Sequence, residues 1–297
     1  MTNSVNTNQS ALIALQNLNS INKKLSDTQI RVATGLKVGG AKDNAATWAI
    51  AQNQRADSGA LSSVKSSLDR AISVADVAMA AGEQISELLV ELRQKATSAA
   101  DPSASEATRK AYDDEFQTLL LSLQSFADNA SFDDENVING KVAGVRPAVG
   151  DPLTPLNFMA NADATEFIVM NRQDLSLQGL GLDTVSGGTT AAPITGAPSL
   201  LLEDEAKVAL LAVEAALAQA TASLAELGAQ SKQIMNHNTF VGKLMDSLET
   251  GIGNLVDADL AKESARLQAL QIQQQLGTQA LSIANQAPQT ILSLFGN

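Results

Sequence analysis

Apolar residues recur at alternating steps of three and four along a first long segment of this chain, from residue 61 to residue 99. We call the residues at these steps stops; they are Leu61, Val64, Leu68, Ala71, Ala75, Ala78, Gly82, Ile85, Leu89, Leu92, Ala96 and Ala99. Most positions between the stops are polar, which is typical of a long helix that buries one seam. We expect this helix to end at Asp101-Pro102, because proline disfavours helical geometry in the residue before it.

The same spacing predicts a second helix over residues 103–129 and a third over residues 210–255. The second seam is Tyr112, Phe116, Leu119, Leu123 and Phe126. The third seam is Leu210, Val213, Leu217, Ala220, Leu224, Leu227, Ser231, Ile234, Asn238, Val241, Met245, Leu248, Ile252 and Leu255. At a rise of 1.5 Å per residue, the first and third helices span roughly 60–85 Å. Rods of this length need partners to cover their seams.

The middle of the chain has a different composition. Five of the seven prolines lie between Gly140 and Pro198, and the same region contains a run rich in Gly, Thr and Ser over residues 184–199. Residues 167–170 and 175–177 have the alternation of short strands, and Asn139-Gly140 is a hairpin-type turn signal. The fold class we predict is mainly α, with coiled-coil-like rods and a small β-rich insertion over residues 141–199.

Both chain ends lack charged side chains. Residues 1–22 and residues 267–297 contain no Asp, Glu, Lys or Arg, and both segments are rich in amides. Each end carries an apolar stripe at helical spacing. The stripes comprise Leu12, Leu15, Leu18, Ile21 and Leu25 at the first end, and Leu267, Leu270, Leu276, Leu281 and Ile283 at the second, with Val32 and Leu260 at their edges.

Such ends are poorly stabilised in an isolated molecule, since amides rather than charges flank the apolar stripes. Paired with each other and with further copies, they bury the stripes, and their amides form hydrogen bonds across subunits without the desolvation cost of buried charge. The alternative is two frayed polar helices on a monomer. The absence of charge over 31 residues favours self-assembly.

Composition excludes several classes of function. The formal net charge is -12, which argues against nucleic acids and anionic membrane surfaces as partners. Only 3% of residues are aromatic against 44% hydrophobic, which favours narrow helical seams over a thick core. The chain has no cysteine, so packing or assembly must supply its stability. No Sec-type signal is visible, and we expect no membrane insertion.

Catalytic and metal-binding signals are weak. The only histidine, His237, lies on a predicted helix without metal-ligand spacing, and we expect an ordinary surface or interface role. The Asp133-Asp134-Glu135 run reads as a solvated cap after a helix. Asp257 and Asp259 are assigned local ion pairs with Lys262 or Arg266. We expect no catalytic residue, no metal and no cofactor.

The single tryptophan, Trp48, is expected to anchor a buried joint between the terminal arm and the rod rather than to stack on a ligand.

Ordered motifs at the N-terminal end resemble those of the bacterial flagellins. Residues 5–8 and 11–18 are similar to the family's opening "INTN…SL.AQ.NL". Residues 31–35 followed by 41–51 are similar to "RLSSG…SAKDDAAG.AIA".

The C-terminal end continues the resemblance. Asp257-Ala258-Asp259 with Glu263 is similar to "DADxAxE", residues 271–277 to "QILQQAG", and residues 284–294 to "ANQxPQxxLSL". The matches cover roughly residues 1–130 and 200–297, in order at both ends, which makes the resemblance far more specific than a lone motif.

The resemblance implies an architecture in three parts. Residues 1–33 with 262–297 form an inner terminal helix pair, residues 34–140 with 200–261 form a helical rod domain, and residues 141–199 form a short outer insertion. It further implies a non-enzymatic subunit that polymerises with itself into the extracellular flagellar filament. The implied partners are an export chaperone that binds the C-terminal segment, the flagellar type III export apparatus, the filament cap and the hook-junction proteins.

Two surface features depart from the family or vary within it. The segment of residues 85–101 resembles one that a vertebrate innate immune receptor reads, but Glu91 replaces the motif's Arg and Lys95 its Leu, so we expect weak recognition. The outer run, which is the Gly-, Thr- and Ser-rich segment of residues 184–199, carries candidate O-glycosylation residues. These are Thr184, Ser186, Thr189, Thr190 and Thr195.

Three other functions compete with the filament subunit. A hook-filament junction protein shares the helical ends and the export route, but the dense C-terminal motifs favour the filament subunit. An enzyme carried in the insertion is disfavoured by its shortness and lack of histidine. A soluble coiled-coil adaptor would remain a small oligomer under all conditions.

Overall fold

The computed structural model describes residues 8–142, 144–146, 153–183 and 198–295, and it is mainly α, as predicted. The elements in chain order are α1 (Gln9–Thr34), α2 (Ala45–Ala99), α3 (Glu106–Asn129), β1 (Leu156–Met159), β2 (Phe167–Met170), α4 (Glu203–Val256) and α5 (Leu260–Phe295). The chain divides into two compact units: Met1–Ser58 with Asp246–Asn297, and Gly59–Met245. Helices α2 and α4 each contribute to both units.

The seam predicted for α2 is confirmed within the second unit. Every one of its twelve stops from Leu61 to Ala99 is buried. Gly82 allows a close approach, because a Cβ added there would lie 2.4 Å from Leu224 Cδ2 on α4. Asn238 of α4 donates to Asp69 Oδ1 at 2.7 Å, and Lys65 Nζ donates to the Asn238 amide oxygen at 3.3 Å.

The α3 seam is partly wrong. Phe116 and Leu123 are buried as predicted, but Leu120 and Ala127 are buried in place of Leu119 and Phe126. Residues 119–121 are all leucine, so the pattern allows more than one choice of seam position. The seam of α4 is similarly displaced over its first half. Its buried residues there are Ala209, Val213, Ala216, Ala220 and Ser223, while Leu210, Leu217 and Leu224 lie beside them half-buried.

Specific caps explain where the helices begin and end. The Asn8 side chain accepts from Ala11 N at the start of α1, and Gly35 ends that helix at φ +73°. Arg109 of α3 caps the end of α2, because its guanidinium donates to Ala99 O and to Asp101 O, both at 3.0 Å. One of the carbonyls left free at the C-terminal end of α2, that of Ala99, is thereby satisfied.

The irregular region after α3 holds an antiparallel hairpin, in which Leu156 pairs with Met170 and Met159 with Phe167. The strand predicted at residues 167–170 is therefore confirmed. The strand predicted at residues 175–177 is wrong, since a single bridge between Asn139 and Asp174 is followed by a turn.

Asn139-Gly140 does not form the hairpin turn, which lies instead at residues 160–166. Gly140 has a φ of +65°, and a Cβ there would lie 2.2 Å from Asp174 Oδ2. This glycine is required by the close approach of a carboxylate rather than by a strand reversal.

Two arginines hold this irregular region together. Arg172, with a side chain only 5% exposed, donates to the backbone oxygens of Thr154, Asn136 and Lys141 and pairs with Glu135. Arg146 pairs with Asp174 and also donates to Asn139 O at 2.9 Å and to Ser176 Oγ at 2.6 Å. Polar contacts thus replace part of the hydrogen bonding that regular structure supplies elsewhere.

Acid is expected to weaken this unit partly through Asp128. Burial raises the pKa of Asp128, but hydrogen bonds from Lys141 and Gln124 outweigh burial and hold that pKa below its ordinary value. A lowered folded-state pKa stabilises the fold above the ordinary Asp pKa, and this contribution is lost as pH falls through the folded-state value. For this partly exposed pair the contribution is below about 1 kcal/mol. Urea midpoints of the natural chain and of Asp128→Asn should differ at pH 7, and the difference should narrow as the pH falls below the ordinary Asp pKa; an unchanged gap would contradict the assignment.

Candidate assembly site

The two charge-free ends pair with each other as α1 and α5 within the first unit. Leu25 and Leu270 are buried in this pair, and Leu18, Ile21, Leu267 and Leu281 are half-buried. Gly277 brings the two helices close, since a Cβ there would lie 3.2 Å from Leu18 Cδ1. Six of the ten stripe residues predicted from sequence therefore face or border the partner helix of the same chain.

The other four predicted stripe residues remain exposed. Leu12 is 57% exposed, Leu15 44%, Leu276 58% and Ile283 69%. The sequence pattern treated each end as one stripe, whereas the structure divides it into an internal face and an external apolar edge.

Amides form hydrogen bonds across the helix pair. Asn8 Nδ2 donates to Ala284 O at 2.7 Å, and Gln274 Nε2 donates to Asn22 Oδ1 at 2.8 Å. These bonds lie within one chain, whereas the sequence argument placed amide bonds between copies. They join the two helices without charge along the segment that lacks ionisable groups.

A charged cluster marks the opposite end of the pair. Arg31 NH1 lies 3.7 Å from Glu263 Oε1, and Arg266 NH1 lies 4.0 Å from the same oxygen. Asp259 does not form the ion pairs expected of it; its carboxylate instead accepts from Lys262 N at 3.1 Å and caps the start of α5. The Glu263 side chain thus takes the ionic role that the sequence argument gave to the aspartates.

Helix α5 presents two exposed faces of different chemistry. At 100° per residue, one face gathers small and apolar side chains and the other gathers amides and hydroxyls. The apolar face comprises Ala269, Ile272, Leu276, Ala280 and Ile283. The amide face comprises Gln268, Gln271, Gln275, Thr278, Gln279, Ser282, Asn285 and Gln286.

An open apolar groove of about 480 Å³ runs between α1 and α5 on the side of the apolar face. Its walls include Ile13 and Asn17 from α1 and Leu276 and Ala280 from α5, with Gly277 at the floor. Ile13 and Ile272 were missed in the sequence argument. Steps of three and four through residues 269, 272, 276, 280 and 283 were the signal that would have found this second apolar line.

Helix α4 carries a further exposed apolar line in the second unit. It comprises Val208, Leu211, Ala215, Ala218, Ala222, Ala225 and Ala229. Because α4 is apolar on both the seam and this line, it holds an 18-residue window of mean hydropathy 1.6, long and apolar enough by composition to cross a membrane. The window alone is weak evidence for insertion, because a helix with a buried seam in a folded protein passes the same test.

A small apolar cluster surrounds Trp48 in the first unit. The partly buried indole packs with Val38, Ala51 and Val256. Lys37 N donates to Val256 O at 2.7 Å and Ala258 N donates to Gly35 O at 2.8 Å, so the segment after α1 is tied to the end of α4.

The remaining candidate residues have structural contacts. His237 Nε2 donates to Ala160 O at 2.7 Å, which ties α4 to the hairpin turn. Glu135 is not a solvated cap residue, because it binds Arg172. Among the residues that the structure describes, no cluster of three or more His, Asp or Glu is placed to hold a metal ion.

The surface candidates on α2 and in the outer run have separate outcomes. Lys95 pairs with Glu115, and its ammonium lies 6.0 Å from the centre of the Tyr112 ring. The hydrogen bond with Glu115 raises the pKa of Lys95. Glu91 is exposed beside them. The five candidate glycosylation residues, Thr184, Ser186, Thr189, Thr190 and Thr195, lie outside the described residues.

Long helices with covered seams, and chain ends that leave uncharged apolar edges in solvent, define a class of helical subunits that complete their packing by self-assembly. Comparison with known proteins identifies the family. Residues 5–143 match the bacterial flagellin N-terminal helical region, and residues 210–295 match the bacterial flagellin C-terminal helical region.

Similar proteins share this assignment over almost the whole chain. The chain is 47% identical to Flagellin FljM of Caulobacter vibrioides over 99% of this chain and 98% of that protein. It is 39% identical to a flagellin of Brucella melitensis over 98% and 99%. The chain belongs to the bacterial flagellin family and is a structural subunit of the flagellar filament.

A solved structure shows the same fold. A flagellar hook-associated protein of Vibrio parahaemolyticus aligns with a TM-score of 0.54 at 14% identity, over 72% of this chain and 100% of that one. At this identity the likeness concerns the fold alone and does not favour the hook-junction alternative.

Proposed function

We propose that the α1–α5 pair is the site through which this subunit polymerises, with residues 1–33 and 262–297 as the filament core. The observation that carries the proposal is the exposed apolar edge of a helix pair that has no charge from residue 267 onward or before residue 23. Burying such an edge against another copy removes apolar surface from water without desolvating charge.

The amide face of α5 lines the central channel of the filament in this proposal. Later subunits travel through that channel as unfolded chains. Amides and hydroxyls remain hydrated and carry no charge, so they bind a passing chain only weakly. We propose residues 34–140 with 200–261 as the rod domain and residues 141–199 as the short outer insertion.

The exposed line on α4 contributes to contacts between neighbouring rods. Its alanines allow a helix of another copy to approach closely, as small residues do at helix crossings. The monomer leaves this line in solvent over roughly 30 Å of helix.

The subunit has no catalytic role in this proposal and functions outside the cell. An export chaperone covers the apolar edge of α5 before secretion, the flagellar type III apparatus exports the chain unfolded, and the cap and hook-junction proteins receive it. The absence of cysteine suits this route, since an unfolded chain without thiols forms no disulfides on the way out.

We expect weak recognition by the immune receptor because of the side chains on the surface of α2. Lys95 is already paired with Glu115 in place of an apolar contact, and Glu91 reverses the charge that the motif carries. A receptor surface built for the usual motif would face an unmatched charge.

The polymerisation site is tested by placing a charge on the apolar edge. Leu276→Glu should raise the critical concentration for polymerisation at least about tenfold, because burying an unpaired carboxylate costs several kcal/mol and each 1.4 kcal/mol is tenfold. Seeded polymerisation followed by sedimentation measures this concentration. Gln275→Glu adds the same charge at the neighbouring residue on the amide face and should have little effect. Equal effects of the two substitutions would contradict the proposal.

A further inference from the structure

Two exposed apolar features lie on opposite sides of the terminal helix pair. The groove has Ile13 and Asn17 in its α1 wall, whereas Leu12 and Leu15 do not line it. Leu15 follows Ile13 by 200° around the helix and therefore points to the other side. On that side the neighbouring α5 surface consists of amides and hydroxyls, so Leu12 and Leu15 form an isolated apolar ridge.

We propose that Leu12 and Leu15 of one copy insert into the groove between Ile13, Leu276 and Ala280 of the next copy. This inference rests on the proposed function and specifies which two surfaces of the terminal pair meet. The ridge and the groove are matched in character, since both are apolar and neither contains a charged side chain.

The symmetry of the contact follows from this arrangement. If two copies met groove to groove, the contact would be isologous, would close at a dimer and would leave both ridges in solvent. Ridge-to-groove contact is heterologous, because each copy uses one surface as donor and a different surface as acceptor. Every added copy then presents a fresh ridge and a fresh groove, which is the condition for an open helical filament.

The floor of the groove is suited to a leucine ridge. Gly277 has no side chain to fill the space between the helices, and Ala280 and Ala284 are the small residues that follow it along α5. Larger residues at these positions would fill the groove and leave the ridge of the next copy without a place to pack.

The chain's lack of cysteine allows a direct test by engineered disulfides. Two single-cysteine variants, Leu12→Cys and Ala280→Cys, are mixed in equal amounts, polymerised on seeds and oxidised. Mixed filaments should yield covalent dimers at least about tenfold above filaments of either variant alone, because the heterologous contact places residue 12 of one copy beside residue 280 of another. The control mixture of Leu12→Cys with Gln275→Cys should yield only this background.

Each outcome bears on a separate claim. Equal cross-linking in filaments of one variant alone would show an isologous contact and overturn the inference. Gln273 also lines the groove. Filaments that form normally and give no dimers, with this pair and with Leu15→Cys plus Gln273→Cys, would also overturn the inference while leaving the terminal pair as the polymerisation site. If Leu12→Cys or Ala280→Cys does not polymerise, the cross-linking of Leu15→Cys with Gln273→Cys tests the inference instead. Failure of the proposed function itself is detected independently, by normal polymerisation of Leu276→Glu.

Discussion

A chain that ends at Arg266 is expected to form no filaments under any condition in which the full chain polymerises. The cut removes the whole uncharged segment of α5, including Leu270, which is buried against α1, and Leu276 on the exposed edge. Helix α1 then has no partner helix for Leu18 and Ile21, and the groove between the helices no longer exists.

The second unit should survive this truncation, because residues 59–245 lie outside the deleted segment and the buried seam of α2 lies within that unit. The helical signal in circular dichroism should fall by about the share that the deleted residues and the paired part of α1 contribute, while the signal of the rod helices remains. Sedimentation and electron microscopy after seeding report polymerisation. A truncated chain that adds to seeds as fast as the full chain would contradict the assigned site.

Replacing the buried arginine of the irregular region should cause a large loss of stability in the second unit. Arg172→Ala removes charge-assisted hydrogen bonds to three backbone oxygens and leaves Glu135 without its partner. Such bonds contribute about 1.5–3 kcal/mol each where they are desolvated, and Glu135 is partly exposed, so we expect a net loss of about 2–4 kcal/mol.

Thermal unfolding of the unpolymerised full chain measures this effect as a fall in Tm of about 5–15 °C. The matched control is Arg70→Ala, which breaks the pair between Arg70 and Asp133 in the same unit. Both of those side chains are more than half exposed, so the expected loss is below about 1 kcal/mol. Similar Tm changes for the two alanine variants would contradict the structural role given to Arg172.

The α2 seam was predictable because its spacing of three and four runs unbroken through all twelve stops, even where apolar residues flank a stop, as Leu88 and Val90 flank Leu89. The displaced stops occur where two apolar residues are adjacent, as at Ala209-Leu210 and Ala216-Leu217. Periodicity alone favours the larger residue, but closely packed helices bury the smaller one at the seam and place the leucine beside it. The pattern therefore predicted the helix and its approximate face but not which neighbour is buried.

The irregular region after α3 was poorly predicted for a different reason. Its structure depends on Arg172 and Arg146 binding backbone oxygens and carboxylates that are distant in sequence. Arginine is mostly exposed in folded proteins, and a network of this kind has no periodic signature. The alternating Leu175 and Leu177 are buried, as a strand would require, yet a bend at Ser176 separates them and a turn begins at Leu177.

The terminal site was predicted in composition rather than in geometry. Absence of charge and helical spacing correctly indicated two helices, and the structure pairs them. The sequence argument did not separate residues such as Leu25, which the chain's own partner helix buries, from residues such as Ile283, which remain exposed. That separation requires knowing how two helices are rotated against each other, which a single periodic stripe does not specify.

Hydrogen exchange before and after seeded polymerisation tests the central claim most directly. If the exposed edges of α1 and α5 become buried only among copies, amides of residues 9–25 and 267–286 should exchange at least about tenfold more slowly in filaments, a difference of roughly 1.4 kcal/mol. Residues 61–99, whose seam is already buried in the single chain, should change much less. Unchanged exchange at both ends, in filaments verified by electron microscopy, would contradict the claim that the terminal helices complete their packing through assembly.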